Sequence, residues 1–220
     1  PSYLALMGAS TIFQENKLAG NIKIAASKTI SNYIMPNIYY DFLSKYKDVK
    51  LDILTINSSS IIDKILKNEL DIGLIEVDTQ NSSLIKEKLA DDELIVVSSD
   101  EKHPSIAFID AIKKRWILRE IGSGTREIFM SKIGEISKEL DIFMQLQDFE
   151  EIKTIVLNNK NTVTVLSKVI VEKELKQKKL FEIKLKNIEF KREFYLVYHK
   201  DKTKNLLFET FIEFIKNRLN

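Results

Sequence analysis

The polar residues best placed for chemistry in this sequence are hydroxyls beside glycines and helix starts. Ser27 and Thr29 stand between an apolar β-type run and a helical one. Their hydroxyls, with the unshared amides and positive end of the following helix, suit an anion; the same residue types also serve as ordinary N-caps. Gly122-Ser123-Gly124-Thr125-Arg126-Glu127 reads as strand, turn and helix start, with two glycines that let backbone approach a ligand closely. Ser123 or Thr125 can cap the helix and present a hydroxyl. Arg126 can either add a charge-assisted bond to an anion or lie on the surface. The segment fails the dinucleotide pattern G-x-G-x-x-G at Glu127, and no Gly-Lys-Ser/Thr follows to make a phosphate-binding P-loop. Glu76 ends a short apolar strand. A carboxylate there opposes a bare anion, so it points away, pairs with a cation such as Arg126, or meets a positive group on the ligand. Ser167, after the strand Val163–Leu166, is equally a cap or a ligand contact.

Other chemistries are excluded by what the 220 residues lack. There is no cysteine, hence no disulfide, thiolate nucleophile or sulfur-ligated zinc. The two histidines, His103 and His199, lie far apart in sequence, which disfavours Ser-His catalysis and histidine metal cages. Thirty-four Lys and Arg against 32 Asp and Glu leave a formal charge of +2, unlike a chain that coats nucleic acid or an anionic membrane. The mixed-sign run Glu172–Lys186 reads as a solvated helix face. Leu4–Met7 is too short to span a bilayer, and 44% hydrophobic residues supply a real core.

The elements that must position these groups alternate. Ile22–Ala26, Leu51–Ile56 and Asp71–Ile75 read as strands, the last as a buried parallel one. Ile30, Ile34, Ile38 and Phe42 recur every four residues along one long helix from about Ile30 to Tyr46, and Ile61, Ile62, Ile65 and Leu66 mark another helix behind three serines. Leu84–Leu89 and Glu93–Ser98 look like two strands about a turn at Asp91-Asp92. The alternation then restarts: strand Trp116–Leu118, a helix with Phe129 and Ile133, strand Ile142–Leu146, a helix from Asp148, strand Thr162–Leu166, a helix over Val169–Leu175, strand Lys191–Tyr198 and a C-terminal helix carrying Phe211 and Ile215. Such βαβ units predict an α/β fold with ligand loops at the strand C-termini. Trp116 reads as core beneath the turn.

Several segments, in order, resemble the effector-binding domain of LysR-type transcriptional regulators. They are Gly20–Ser27, Tyr33–Pro36, Leu70–Glu76, Asp92–Val97 with His103-Pro104, Trp116–Glu120, Gly122–Glu127, Val163–Ser167 and Tyr195–Tyr198, together spanning about residues 19–217. The Gly122–Glu127 segment is most similar to the branch that senses sulfur oxyanions. The resemblance implies two Rossmann-like subdomains joined by two crossing strands, as in type 2 periplasmic binding proteins, with crossings near Val97–Asp100 and Tyr195–Lys200. Subdomain I would be 20–97 plus 200–220, subdomain II 98–199, and 1–19 the remnant of a linker helix with vector-derived residues among the first ten.

The resemblance further implies a cytoplasmic ligand sensor with no catalysis, cofactor, metal or membrane contact. A small anion, sulfite or sulfate first, would bind between the subdomains through Ser27, Thr29, Glu76, Ser123, Gly124, Thr125, Arg126, Gln147 and Ser167. Gln147 departs from relatives, which place a hydroxyl residue there. DNA would be bound only by a helix-turn-helix absent from this chain. The assembly would be an antiparallel homodimer, or a tetramer in the full-length form, its interface suggested by Tyr33, Tyr39, Tyr40, Phe42 and Tyr46, which cannot all face one internal side. A transporter's solute-binding protein shares the fold and is the alternative; an enzyme on the same fold is a third, lacking a visible nucleophile–base pair.

Overall fold

A computed structural model describes residues 18–101, 105–106, 108–185 and 188–219. The expected linker remnant, up to residue 17, and His103-Pro104 lie outside the described residues. The first lobe opens with β1 (Ala19–Ala26), β2 (Asp48–Thr55) and β3 (Ile72–Ile75), all parallel, with Ile24 in register with both Ile53 and Ile72. The helix expected over Ile30–Tyr46 is divided. A wide π-type turn, Ile30–Ile34, precedes α1 (Pro36–Lys45), because Pro36 has no N–H to continue the ladder and suits a helix's first turn. α2 (Ser58–Leu66) is capped by Asn57, whose side chain accepts from the Ser60 amide, rather than by one of the serines.

β4 (Leu84–Ser98) is a single strand where two were expected. Asp91-Asp92 makes no turn: Asp92 sits opposite Arg192 in an antiparallel ladder that continues on both sides of it, and its carboxylate is bound to that arginine. The second lobe holds β5 (Ser105–Ile106), α3 (Phe108–Ile112), β6 (Arg115–Arg119), α4 (Gly124–Ile133), a 3-10 segment at Gly134–Glu139, β7 (Asp141–Leu146), α5 (Phe149–Asn158), β8 (Thr162–Ser167) and α6 (Lys168–Lys176). β9 (Phe181–Leu185) falls inside the charged run read as helix; Ile183 and Leu185 are buried at alternate positions, a strand period that the lysines obscure. β10 (Phe190–His199) and α7 (Leu206–Leu219) return the chain to the first lobe.

The strand order is β2-β1-β3-β10-β4-β8-β6-β7, so β4 and β10 form the bridge. The second half of β10 pairs with β3, through Tyr195–Val197, while the end of β4 pairs with β8, through Leu94–Val97. Both crossings therefore lie within the strands, a few residues before the expected Val97–Asp100 and Tyr195–Lys200. The sheet is covered on both faces in both lobes. In the first, Phe42 packs edge-on to Phe211 of α7 (4.7 Å between ring centres), while Ile61 and Ile65 of α2 cover the opposite face with Val197. In the second, Trp116 and Phe129 fill one face, and Phe149, Ile152 and Val171 the other. The aromatics of α1 mostly turn inward: Tyr39, Phe42 and Tyr46 are buried, and Tyr33, in the turn before α1, meets Phe149 across the lobes at 5.6 Å. Tyr40 alone of the five is exposed.

Candidate functional site at the lobe junction

The C-terminal ends of β1 and β3 face those of β6 and β8, and an ion-pair network sits between them. Arg192, on β10, is its centre. Its Nε donates to Asp92 Oδ2 at 2.5 Å, and its NH1 donates to Glu76 Oε2 at 2.8 Å and to Thr125 Oγ1 at 3.0 Å. Ser27 Oγ donates to the other Glu76 oxygen at 2.6 Å, and Ser167 Oγ to Asp92 Oδ1 at 2.7 Å. The Arg192 and Glu76 side chains are 1% and 4% exposed, so water does little to weaken the attraction. Burial alone would push the Glu76 carboxyl up. Arg192, the Ser27 and Thr29 hydroxyls and the nearby Arg119 outweigh it and hold the group below the usual carboxylate range.

Two buried polar atoms have no hydrogen-bond partner here: Thr29 Oγ1 and Arg192 NH2. Thr29 faces the Glu76 carboxylate and helps keep it ionised without reaching it in normal hydrogen-bond geometry. A second buried arginine, Arg119, forks onto Glu120 through Nε (2.8 Å) and NH2 (3.0 Å) and lies over the Phe149 ring.

The Gly122–Thr125 turn carries the second lobe against the first. Gly122 has φ +86°, and a Cβ on it would stand 2.8 Å from Ser59 Oγ. A Cβ on Gly124 would stand 3.0 Å from Glu76 Cβ and 3.1 Å from its Oε2. Gly122 needs glycine for its backbone angle, and a Cβ at Gly124 would require Glu76 and Val77 to give by a few tenths of an ångström. On the opposite side of the junction, Lys28 Nζ donates to the Gln147 carbonyl at 2.6 Å and Tyr33 Oη to Glu150 at 2.7 Å. A cavity of about 600 Å³ opens between β3, α4 and the crossing strands, with Glu76, Val77, Ile128, Arg192 and Tyr195 among its walls.

Of the residues picked from sequence, Ser27, Thr29, Glu76, Ser123, Thr125 and Ser167 are all buried at this junction, and Gly124 touches Glu76. None of Thr29, Ser123 and Ser167 makes a side-chain capping bond to the helical segment it precedes. Arg126 turns away from Glu76; its NH1 donates to the Arg119 carbonyl at 2.9 Å and to Gln145 Oε1 at 2.6 Å. The Gln147 side chain is exposed, and only its carbonyl is engaged. Arg192 and Arg119 were missed. Arg192 had a legible signal: Phe190, Phe194, Leu196 and Tyr198 share its parity in β10, so an arginine stands where the strand points inward.

The family model described as the LysR substrate binding domain matches residues 15–220. The chain belongs to that family. This LysR-type domain is 28% identical to the HTH-type transcriptional regulator CysL of Bacillus subtilis over 205 residues, covering 90% of the chain and 67% of the regulator. It is 30% identical over 220 residues to a probable RuBisCO transcriptional regulator of Phaeodactylum tricornutum, covering 94% of the chain and 70% of that protein. Sulfur-named and carbon-named regulators thus align about equally well. In structure it is similar to the CcmR regulatory domain of Synechocystis PCC6803, solved with 2-PG, with TM-score 0.79, 21% identity and coverage of 91% and 98% of the two chains. The LysR-type domain therefore has the two-lobed, type 2 periplasmic-binding-protein-like architecture with crossing strands. Among its described residues no group of three or more His, Asp or Glu side chains is placed to hold a metal, and no helix is long and apolar enough to cross a membrane.

Proposed function

We propose that this LysR-type domain senses a small oxyanion, sulfite or sulfate first, at the junction of its lobes, and acts in the cytoplasm without catalysing a reaction. The observation that carries the reading is the pair of buried donors without partners, Thr29 Oγ1 and Arg192 NH2, within one polar cluster. Buried donors left unmade are costly, and an anion is the partner that satisfies both. Ser27, Ser123, Gly124, Thr125 and Ser167 would line the seat with Arg192. Glu76 would border it, while Arg126 and Gln147 would act from its rim. Ligand that prefers one arrangement of the lobes shifts the population reported to a helix-turn-helix outside this chain. Calorimetric titration with sulfite, sulfate, phosphate and amino acids tests this. Thr29→Ala or Thr125→Ala should each weaken oxyanion binding by about 1–3 kcal/mol, the range for a hydrogen bond to a charged group. Tight binding of an amino acid or other organic acid, with no oxyanion response, would sink the reading.

The domain would also dimerise, side by side and antiparallel. Edge strand β2 exposes Ile53 and Leu54, the opposite edge strand β7 exposes Phe143 and Met144, and α1 adds Tyr40. In a two-fold arrangement each lobe-one edge meets the partner's lobe-two edge, so both apolar patches of each protomer are covered. The full-length regulator would pair such dimers into a tetramer. Light scattering at micromolar concentration should give twice the chain mass, and a Phe143→Glu substitution should yield monomer. A monomeric wild-type domain would refute the arrangement.

A further inference from the structure

The central ion pair leaves capacity unused on both sides. An ionised carboxylate only accepts, and each of its oxygens offers about two lone-pair sites. Glu76 Oε1 receives the Ser27 hydroxyl and Oε2 receives Arg192 NH1, which leaves one site open on each. Arg192 spends Nε and NH1 but not NH2, and the Thr29 hydroxyl is likewise unspent. The unspent set is thus two donor groups, Arg192 NH2 and the Thr29 hydroxyl, beside one carboxylate with an open site on each oxygen. Charge points the same way. At the centre the single charge of Arg192 meets two carboxylates, Glu76 and Asp92, while Arg119 is paired with Glu120, and Lys28 and Arg126 spend their hydrogen bonds on carbonyls at the rim. A fully deprotonated dianion placed there would set lone pair against lone pair at Glu76 and add to a negative surplus.

We infer that Glu76 is a specificity-determining residue that makes this site select oxyanions still carrying a proton at neutral pH, such as hydrogensulfite or hydrogenphosphate, over sulfate. The inference rests on the oxyanion reading above. The ligand's O–H donates to an open lone pair of Glu76, while its bare oxygens accept from Arg192 NH2 and Thr29 Oγ1. Sulfate has no proton to give. Gly124 keeps the geometry tight, because a Cβ there would press on the Glu76 side chain at 3.0–3.1 Å.

The test is calorimetric titration of the wild-type domain and Glu76→Gln with sodium sulfite, phosphate and sulfate. Wild type should bind sulfite and phosphate at least about tenfold more tightly than sulfate. Its sulfite affinity should fall as the buffer moves from mildly acid to mildly alkaline and hydrogensulfite loses its proton. In Glu76→Gln the amide can donate as well as accept, so sulfate should gain about tenfold and the preference collapse. Equal wild-type affinities, unchanged by Glu76→Gln, would overturn the role of Glu76 and leave the oxyanion reading standing. No binding of any oxyanion to either protein would overturn both. Should Glu76→Gln fail to fold, wild type decides in two buffers of different ionisation enthalpy. In mildly alkaline buffer, where free phosphate is already hydrogenphosphate, sulfate must then bind with uptake of about one proton and phosphate with none; sulfate binding without uptake would refute the selection.

Discussion

Arg192→Met is expected to lower the stability of the domain by about 3–5 kcal/mol, the cost of removing one partner from a buried ion pair. The methionine fills much of the space, so packing is not the main loss. The loss is electrostatic: Glu76 and Asp92, 4% and 6% exposed at the side chain, lose the cation they share and keep chiefly the Ser27 and Ser167 hydroxyls as direct partners, with Arg119 farther off. In a chain of this size each kcal/mol moves the melting temperature by about 2–4 °C. Urea unfolding should show a lower midpoint with an unchanged slope. The pH dependence gives a sharper reading. In wild type the folded-state Glu76 pKa lies below the unfolded value, so its contribution is present above the ordinary carboxylate range and lost as pH falls through the folded value. Without Arg192, burial raises that pKa instead, and protonation relieves the unpaired charge. The stability gap between the two proteins should therefore narrow on acidification. A gap below about 1 kcal/mol at neutral pH, or one that widens in acid, would contradict the assignment of Arg192 as the counter-charge. Arg192→Lys keeps the charge but loses the fork, and should fall between the two.

Trp116→Ala should cost about as much, roughly 3–5 kcal/mol, by a different route. The indole is fully buried on β6, 4.9 Å from the Phe129 ring, which in turn lies 5.4 Å from Phe190 on the crossing strand. Its Nε1 donates to the Ala111 carbonyl at 3.0 Å. Truncation opens a cavity between β6 and α4 and strands that carbonyl. Trp116→Phe keeps most of the volume and should cost about 1–3 kcal/mol, chiefly for the lost bond. Circular dichroism in urea measures both, since the substitution removes the chain's one tryptophan. Because α4 carries Gly124 and Thr125 into the site, the alanine variant should also weaken effector binding. A stability loss confined to less than about 1 kcal/mol would mean that the second lobe collapses around the gap.

Much of the fold was legible because its strands and helices carry unmixed periods. β3 is four consecutive buried residues, and α2 repeats its isoleucines at helical spacing. The failures have local causes. Asp91-Asp92 looks like a turn, yet the aspartate needed by Arg192 stands one hundred residues away in sequence from its partner, and only the ladder brings them together. β9 hides an alternating apolar pair among lysines. For the site, hydroxyls and glycines were readable from their places between strand and helix, whereas Arg119 and Arg192 end or occupy strands whose inward positions are otherwise apolar. Arg126 lies in the Gly122–Glu127 motif, and it ties the turn to Gln145 and the Arg119 carbonyl. The residue that compensates Glu76 came from the strand, not the loop.

The bridge between the lobes has a mechanical consequence. β4, from Leu84 to Leu94, is hydrogen-bonded along the length of β10, with one irregularity, between Phe194 and Tyr195. A two-stranded ribbon of this kind strongly resists stretching and sliding, because either would break several hydrogen bonds at once, but it yields to torsion, the deformation in which two-stranded ribbons vary most. The deformation this bridge would resist least is therefore a twist of one lobe about the ribbon axis. Arg192 and Asp92 sit on that axis, where displacements are smallest, and the exposed edges of β2 and β7 lie farthest from it. A sub-ångström adjustment around Arg192 becomes a larger sweep at the sheet's outer edges, as a short lever arm drives a long one.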